Sequence, residues 1–273
     1  MTRIERFGWK APVEPGIGRI VSAHGDYYHL VCNEAEGEIL ARKKKSAFRT
    51  ADALRPITGD FVRFRYNEQG ESMIQEVLPR FSSFERKDPT ARRKAQVLAV
   101  NFDVLFIMMS QNENFSIPRL ERFLALSEEC GQAEVVIALT KKDLAAPGES
   151  GAARVVAAFG EGKVTALDLS CRTGEGLEVV RQYAQPGRTL AFIGSSGVGK
   201  STLLNELAGE DWMATQEIQE WSGKGRHTTT SRELVMLPNG AMVIDTPGIR
   251  EIGRIGEVDE RLVKGEASHR YRK

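Results

Sequence analysis

The 273-residue chain has few cysteines, no long apolar run and almost no net charge. Its three cysteines, Cys32, Cys130 and Cys171, lack the spacing of a metal site or of a disulfide framework, so we expect three free thiols. The longest apolar runs are only as long as a strand, which excludes a membrane-spanning helix. The first residues, MTRIERFGWK, lack the apolar stretch of a signal peptide. We therefore expect a cytoplasmic protein with no membrane partner.

The net charge of +1 conceals an uneven distribution. Residues 1–94 carry 18 basic and 13 acidic residues, whereas the remainder carries 20 and 24. The basic excess is concentrated in residues 42–45 and 86–94, which is compatible with a nucleic-acid-binding surface. Runs of this kind also occur on faces that are simply solvated, so charge alone leaves both interpretations open.

Two rhythms of hydrophobicity divide the chain. Between residues 15 and 82, five short strand-like segments alternate with glycine-containing turns, which predicts a small barrel of the OB type, although another small barrel or sandwich fits the same pattern. From residue 95 to 255, strands alternate with helices, as in a mainly parallel sheet covered on both faces. Residues 1–14 are expected to form a tail, residues 83–94 a polar linker, and residues 256–273 a charged C-terminal tail.

A phosphate-binding pattern, G-x-x-x-x-G-K-[ST], lies between a predicted strand and a predicted helix. Glycines let backbone N–H groups surround phosphates at a helix N-terminus, whose dipole favours anions. We expect Lys200 to reach the outer phosphates and Ser201 to bind Mg²⁺. The expected phosphate-binding set is Gly194, Ser195, Ser196, Gly197, Val198, Gly199, Lys200, Ser201 and Thr202.

A second nucleotide motif, DTPG, covers residues 245–248 and follows a hairpin that Asn239-Gly240 predicts. Asp245 is expected on the Mg²⁺ side, and the backbone N–H of Gly248 is expected to sense the γ-phosphate.

Residues 225–230, GRHTTT, occupy the position of the first switch. One of its threonines is expected to close over Mg²⁺. We favour Thr229 and Thr230 for this role and assign Thr229 as the metal ligand.

The position after DTPG, where many GTPases have a water-orienting glutamine, is occupied by Ile249. Isoleucine cannot hydrogen-bond to water, so hydrolysis must be slow, use another residue or await a partner. His227 is the nearest candidate catalytic residue, although a histidine in a loop is often only a surface residue.

The motif TKKD, residues 140–143, indicates which base the site accepts. The carboxylate of Asp143 can accept hydrogen bonds from the ring N–H and the exocyclic amine of guanine. Adenine offers an acceptor at the first place and nothing at the second, so a buried carboxylate would be left unpaired. Sites built in this way discriminate by about 10⁴ or more. We therefore expect guanine specificity.

Other residues are expected to hold the base from its two sides. Lys141 would lay its stem against the base plane, and Ser170 and Cys171 of the segment SCRTGEG, residues 170–176, would support the base from the other side. Thr140 stands where asparagine is usual and supplies a hydroxyl but no amide. The expected base-binding set is Thr140, Lys141, Lys142, Asp143, Ser170 and Cys171.

The order of these motifs is cyclically shifted, because TKKD normally follows both the phosphate loop and DTPG. Domain termini usually lie close together, so a chain can be rejoined and recut without disturbing its site. With its barrel, the stretch QVLAVNFDVLFIMMSQNENFSIPRLERFL, the shifted order and GRHTTT, the chain from about Gly16 to Glu251 resembles the RsgA family, also called YjeQ or YloQ. These are circularly permuted GTPases that act on the bacterial small ribosomal subunit.

The resemblance implies an α/β protein with an N-terminal OB-type barrel followed by a circularly permuted P-loop GTPase domain. It further implies hydrolysis of GTP to GDP with Mg²⁺, stimulated by the small subunit, and a role in late maturation of that subunit. In the family the barrel contacts ribosomal RNA, which strengthens the nucleic-acid interpretation of the basic N-terminal half. We expect a monomer.

Members of the family usually continue into a helical domain that binds zinc through three cysteines and a histidine. Here the sequence ends in ASHRYRK and has no cysteine after Cys171, so the resemblance does not carry zinc over to this chain. A natural short form, a truncated chain and a disrupted reading frame are all open.

Two other function classes share parts of this pattern. A metabolic P-loop kinase or other NTPase would have the phosphate loop without a guanine-specific site. An RNA-binding module with a vestigial nucleotide site would need the barrel alone.

Overall fold

The computed structural model describes residues 1–48, 54–86, 96–209 and 232–245. No helix in these four ranges combines the length and apolarity needed to cross a membrane. The three cysteines are free thiols, as expected.

The first part of the chain forms a closed barrel of five strands. The strands are Ile17–His24 (β1), Tyr27–Cys32 (β2), Ile39–Lys43 (β3), Phe61–Arg65 (β4) and Ser72–Val77 (β5). Their order is β1-β2-β3-β5-β4, and β4 pairs back onto β1. The pairs are antiparallel except for β3 and β5, which run parallel. Fully buried side chains such as Ile20, Leu30, Val62 and Ile74 fill the interior. The predicted OB-type barrel is confirmed.

The first residues are anchored to the barrel, although we expected residues 1–14 to form a tail. A short helix, Arg3–Arg6 (α1), inserts the fully buried side chain of Ile4 between Ile17 and Phe61. The backbone N–H of Ile4 donates to Asn33 Oδ1 at 3.0 Å. A single turn carries too little periodicity to be recognised in a sequence, and its contacts come from distant residues.

The predicted linker begins as a strand. Ser83–Arg86 (β6) pairs antiparallel with Gln96–Val100 (β7) in a separate two-stranded sheet. Phe84 is buried in the same core cluster as Leu98, and burial of this aromatic side chain stabilises the short strand. Residues 87–95, the rest of the linker, lie outside the described residues.

The second part is a sheet with helices on both faces. The strands are Val104–Ser110 (β8), Glu134–Thr140 (β9), Thr165–Asp168 (β10), Thr189–Gly194 (β11), Glu233–Met236 (β12) and Met242–Asp245 (β13), and the helices are Ile117–Ser127 (α2), Gly151–Phe159 (α3), Leu177–Tyr183 (α4) and Lys200–Ala208 (α5). The strand order is β10-β9-β8-β11-β13-β12, and neighbouring strands are parallel except that β12 runs antiparallel to β13.

Alternate residues of the central strand β8 face two different cores. Leu105, Ile107 and Met109 pack with residues of α2 and α3, whereas Val104, Phe106 and Met108 pack with residues of α4 and α5. Successive side chains of a strand point to opposite faces, so a strand buried on both faces is apolar throughout. The predicted three-layer arrangement and the hairpin before DTPG are confirmed.

The barrel and the α/β sheet are joined edge to edge. Ser22 of β1 lies opposite Glu233 of β12, so the two parts share one sheet of eleven strands. Close to this junction, the hydroxyl of Thr58 donates to the carbonyl of Arg232 at 2.8 Å.

A fully buried arginine, Arg19 on β1, fastens the barrel to the rest of the molecule. It is 1% exposed. Its Nη1 donates to Phe7 O at 2.6 Å and to Thr189 Oγ1 at 2.9 Å, and its Nη2 donates to Asn101 O at 2.7 Å. Burial lowers the pKa of Arg19 to about 10, although the negative charges of Asp103 and Asp60 oppose that shift. The guanidinium is therefore still charged at neutral pH.

We expect Arg19→Ala to lower the free energy of unfolding by about 3 kcal/mol or more, because it leaves several buried acceptors unpaired and a cavity between the two parts. Urea unfolding followed by circular dichroism measures the loss. Arg63→Ala is the control, since Arg63 is 40% exposed and its ion pairs with Glu14 and Glu76 contribute less than about 1 kcal/mol. Equal losses in the two variants would contradict a special role for Arg19.

Candidate nucleotide-binding site

Four predicted nucleotide motifs meet at one edge of the α/β sheet. The strands β9, β10, β11 and β13 run in the same direction, and a motif begins at or just after the carboxyl end of each. The register places Asp168 beside Leu139, and Gly194 beside Met108. Ligands of open α/β sheets bind at this edge. The sheet thus places the starts of the four motifs at one edge, although their order along the chain is cyclically shifted.

The phosphate loop leaves β11 in a conformation that depends on glycine. A Cβ on Gly194 would come within 2.6 Å of the carbonyl oxygen of Met108, so no side chain fits there. Gly199 has a φ of 103° and directly precedes α5. The ammonium of Lys200 donates to the carbonyls of Gly194 at 2.8 Å and Ser195 at 3.0 Å, so the lysine lies across its own loop. The loop thus precedes a helix N-terminus, where anions bind in other proteins, and its role in binding phosphates stays a prediction.

Thr140 connects the base motif to the phosphate loop. Its side chain is almost fully buried, and its hydroxyl donates to the carbonyl of Val198 at 2.6 Å. The sequence showed only that a hydroxyl replaces the usual amide at this position. In the structure, that hydroxyl holds the phosphate loop against the end of β9.

The carboxylate of Asp143, the predicted base-binding group, is held in place by Ser170 of the segment SCRTGEG. Ser170, fully buried, donates its hydroxyl to Asp143 Oδ1 at 2.6 Å. The guanidinium of Arg172 lies 3.8 Å from Asp143 Oδ2, although the Arg172 side chain is 82% exposed. Sequence reasoning did not single out Arg172; its place two residues after Ser170 was the available signal.

The two lysines of TKKD are placed differently. Lys141 has a φ of 58° and turns the chain out of β9, a conformation that costs a non-glycine residue about 1 kcal/mol or more. Lys142 was expected among the base-binding residues. Its ammonium instead contacts the backbone carbonyl of Glu149 and lies 3.8 Å from Asp168 Oδ2. In this structure Lys142 therefore connects the start of the loop after β9 to Glu149 near the end of that loop.

Cys171, which follows Ser170 in the chain, is a half-buried free thiol. Burial, aided by the negative charges of Glu206 and Asp143, raises the pKa of the Cys171 thiol to about 11. The thiol is therefore neutral at physiological pH and adds no second negative charge beside Asp143.

Two of the three expected magnesium ligands lie on neighbouring elements. Ser201 is exposed in the first turn of α5, and Asp245 is the last residue of β13, which pairs directly with β11. A hydroxyl and a carboxylate are ligands that suit Mg²⁺. Four other expected site residues, and Ile249, lie outside the described residues: His227, Thr229, Thr230 and Gly248.

The exposed outer face of the barrel carries a row of aromatic, apolar and basic side chains. Strand register places Tyr27 beside Arg42, Arg42 beside Met73, and Met73 beside Arg65, and residues paired in this way share one face. The Arg42 guanidinium lies 4.2 Å from the Tyr27 ring centroid and 2.6 Å from Glu71. Tyr27 and Met73 are about 39% and 45% exposed. We call Tyr27, Arg42, Met73 and Arg65 the barrel row.

Comparison with known proteins gives consistent results. The family model described as RsgA GTPase matches residues 77–255. The chain is 40% identical over 236 residues to small ribosomal subunit biogenesis GTPase RsgA 2 of Lactiplantibacillus plantarum, covering 86% of this chain and 66% of that protein. It is 35% identical over 270 residues to small ribosomal subunit biogenesis GTPase RsgA of Leptospira interrogans, covering 93% and 72%. The chain thus spans about two thirds of the length of these relatives.

Among solved structures, the chain is similar to the crystal structure of YjeQ from Thermotoga maritima. The TM-score is 0.63 with 26% sequence identity, over 86% of this chain and 76% of that one. The likeness extends across both the barrel and the α/β sheet, since neither part alone makes up so large a share of the chain.

We expect Asp143→Asn to weaken GDP binding by about 100-fold or more and to strengthen binding of xanthosine diphosphate. Xanthine carries an oxygen where guanine carries the amine, so the asparagine amide can donate to it. Calorimetric titration with GDP and with xanthosine diphosphate measures the two changes in affinity. Glu149→Gln, an exposed change on the same loop, is the control and should alter neither affinity. In a kinase site that does not recognise guanine, the substitution would not change the preference from GDP to xanthosine diphosphate.

Proposed function

Because this chain belongs to the RsgA GTPase family, we propose that it hydrolyses GTP to GDP and phosphate with Mg²⁺ and assists late maturation of the small ribosomal subunit in the cytoplasm. The observation that supports this most directly is the meeting of four nucleotide motifs at one sheet edge. The small-subunit role follows the names of the relatives.

The phosphate side of the site would act through charge and position. The ammonium of Lys200 lies over the phosphate loop, where it donates to the carbonyls of Gly194 and Ser195. When a nucleotide binds, the ammonium would exchange these two carbonyls for oxygens of the outer phosphates. Ser201 and Asp245 would hold Mg²⁺, which neutralises charge that develops on the phosphates during transfer. Gly248 would report the presence of the γ-phosphate through its backbone N–H.

The base side would select guanine through a carboxylate that is fixed in advance. Ser170 occupies one position on Asp143 Oδ1 and sets the plane of the carboxylate. The remaining lone pairs can then face the ring N–H and the amine of guanine. A group held before binding loses less entropy on binding, which favours both affinity and selectivity.

Hydrolysis would depend on a partner. Ile249 cannot orient water, and the candidate residues His227, Thr229 and Thr230 lie on a separate segment. We propose that the small subunit positions these residues for hydrolysis, much as an activating protein does for other GTPases. Intrinsic turnover would then be slow.

The barrel would contribute the contact with ribosomal RNA. The barrel row combines a tyrosine ring with arginine guanidinium groups, and unpaired bases stack on both kinds of group. The neighbouring basic residues 42–45 add attraction for phosphates. We propose that the protein acts as a monomer.

GTP turnover measured with and without purified small subunits tests the proposal. We expect slow release of phosphate by the protein alone and an increase of about tenfold or more with subunits. Lys200→Ala is the control and should abolish turnover in both conditions. Equal rates with and without subunits would contradict activation, and no magnesium-dependent turnover in either condition would favour an RNA-binding module with a vestigial site.

Variants of the barrel row test the RNA contact. Tyr27→Ala should weaken small-subunit binding by roughly tenfold through lost stacking, and Arg42→Ala should lower the slope of the logarithm of the binding constant against the logarithm of the salt concentration by about one, because one phosphate contact is lost. Filter binding at several salt concentrations measures both. Arg122→Ala, an exposed change on α2, is the charge-matched control. If the control weakened binding as much as the barrel variants, the row would not be the contact surface.

A further inference from the structure

The carboxylate of Asp168, two residues before Ser170, contacts four different residues. Asp168 ends β10, and its side chain is 14% exposed. Its Oδ1 accepts from Gln111 Nε2 at 2.9 Å and from the backbone N–H of Ala152 at 2.9 Å. Its Oδ2 accepts from the hydroxyl of Ser150 at 2.6 Å and lies 3.8 Å from the ammonium of Lys142. One side chain thus contacts three separate segments.

These contacts hold both ends of the loop that carries Asp143. Lys142, at its start, is drawn to Asp168, and Ser150 and Ala152, at its end, donate to the same carboxylate. The loop between them connects β9 to α3. Holding both ends shortens the distance over which the loop can shift, so Asp143 is restrained as well.

Gln111 at the end of β8 reinforces this arrangement. Besides donating to Asp168, its Nε2 donates to the carbonyl of Leu139 at 3.0 Å, and its Oε1 accepts from the N–H of Gly151 at 3.0 Å. The amide therefore bridges β8, β9 and the start of α3 at the back of the loop. Both polar ends of its side chain are satisfied, which makes the network rigid.

The same short segment also supplies the residue that orients the base-reading carboxylate. Ser170 follows Asp168 by two residues, and its hydroxyl donates to Asp143 Oδ1. Asp168 therefore sets the position of the loop, and Ser170 sets the orientation of the carboxylate on it. A displacement of either should change how well Asp143 meets the two donors of guanine.

We propose that Asp168 is a positioning residue for base selection: by restraining both ends of the 142–150 loop, it keeps Asp143 where it can bind the ring N–H and the amine of guanine together. Asp168 itself does not contact the base. Its role rests on the guanine recognition proposed above.

The ratio of affinities for GDP and inosine diphosphate separates positioning from general stability. Inosine lacks the 2-amino group, so the ratio measures the bond between that group and Asp143. Loss of folded protein lowers the apparent number of sites equally for both nucleotides and leaves the ratio unchanged. We expect the wild-type protein to prefer GDP by roughly tenfold or more.

Asp168→Ala should reduce this preference by about fivefold, because a loop freed at both ends no longer presents Asp143 in one position. Asp168→Asn keeps the shape but loses the charge that faces Lys142, so it should give a smaller reduction and provides a second variant if the alanine protein folds poorly. Calorimetric titration of the full chain with each nucleotide measures both ratios.

Asp103→Ala is the matched control. Asp103 is also a nearly buried carboxylate, 8% exposed, and it accepts from the backbone N–H of Thr189 at 2.7 Å and from Lys10. It lies at the opposite edge of the sheet, where β11 begins. Its loss should lower the thermal midpoint while preserving the preference for GDP.

Two results would overturn the role of Asp168. A wild-type preference for GDP in both Asp168 variants would remove its part in selection while leaving the proposed function intact. A wild-type protein that binds GDP, inosine diphosphate and ADP equally would overturn both the role and the proposed guanine recognition.

Discussion

The parallel alignment of four strands is the constraint on which the nucleotide site depends. Parallel strands in one sheet end at the same edge, whatever their order along the chain. The carboxyl ends of β9, β10, β11 and β13 therefore bring the base motifs, the phosphate loop and DTPG together. A cyclic shift changes which motif comes first in the chain and leaves the edge intact. The site tolerates permutation because it is defined by the sheet.

The barrel is fastened to the opposite end of the same strands. Arg19 donates to Thr189, the first residue of β11, and lies 3.6 Å from the sulfur of Met242, the first residue of β13. The carboxyl ends of those two strands carry the phosphate loop and Asp245. Barrel and nucleotide site thus sit at the two ends of shared strands.

Local patterns predicted most of the elements. Period-two alternation located the five barrel strands, the Asn239-Gly240 pair located the hairpin, and the phosphate pattern located the loop between β11 and α5. What escaped prediction was short and depended on distant partners. The first turn of helix is held by Asn33, and β6 is ordered by the burial of Phe84. Neither signal is visible within a window of a few residues.

The sequence by itself determined the chemical groups and the kinds of ligand that they suit. Asp143 pointed to guanine, and Lys200 and Ser201 pointed to phosphates and Mg²⁺, because those roles follow from donors, acceptors and charge. Only the tertiary structure decided which groups act together. The bond from Thr140 to Val198 and the placement of Lys142 beside Asp168 join residues that are 26 to 58 positions apart. Chain folding sets such distances, and no local pattern records them.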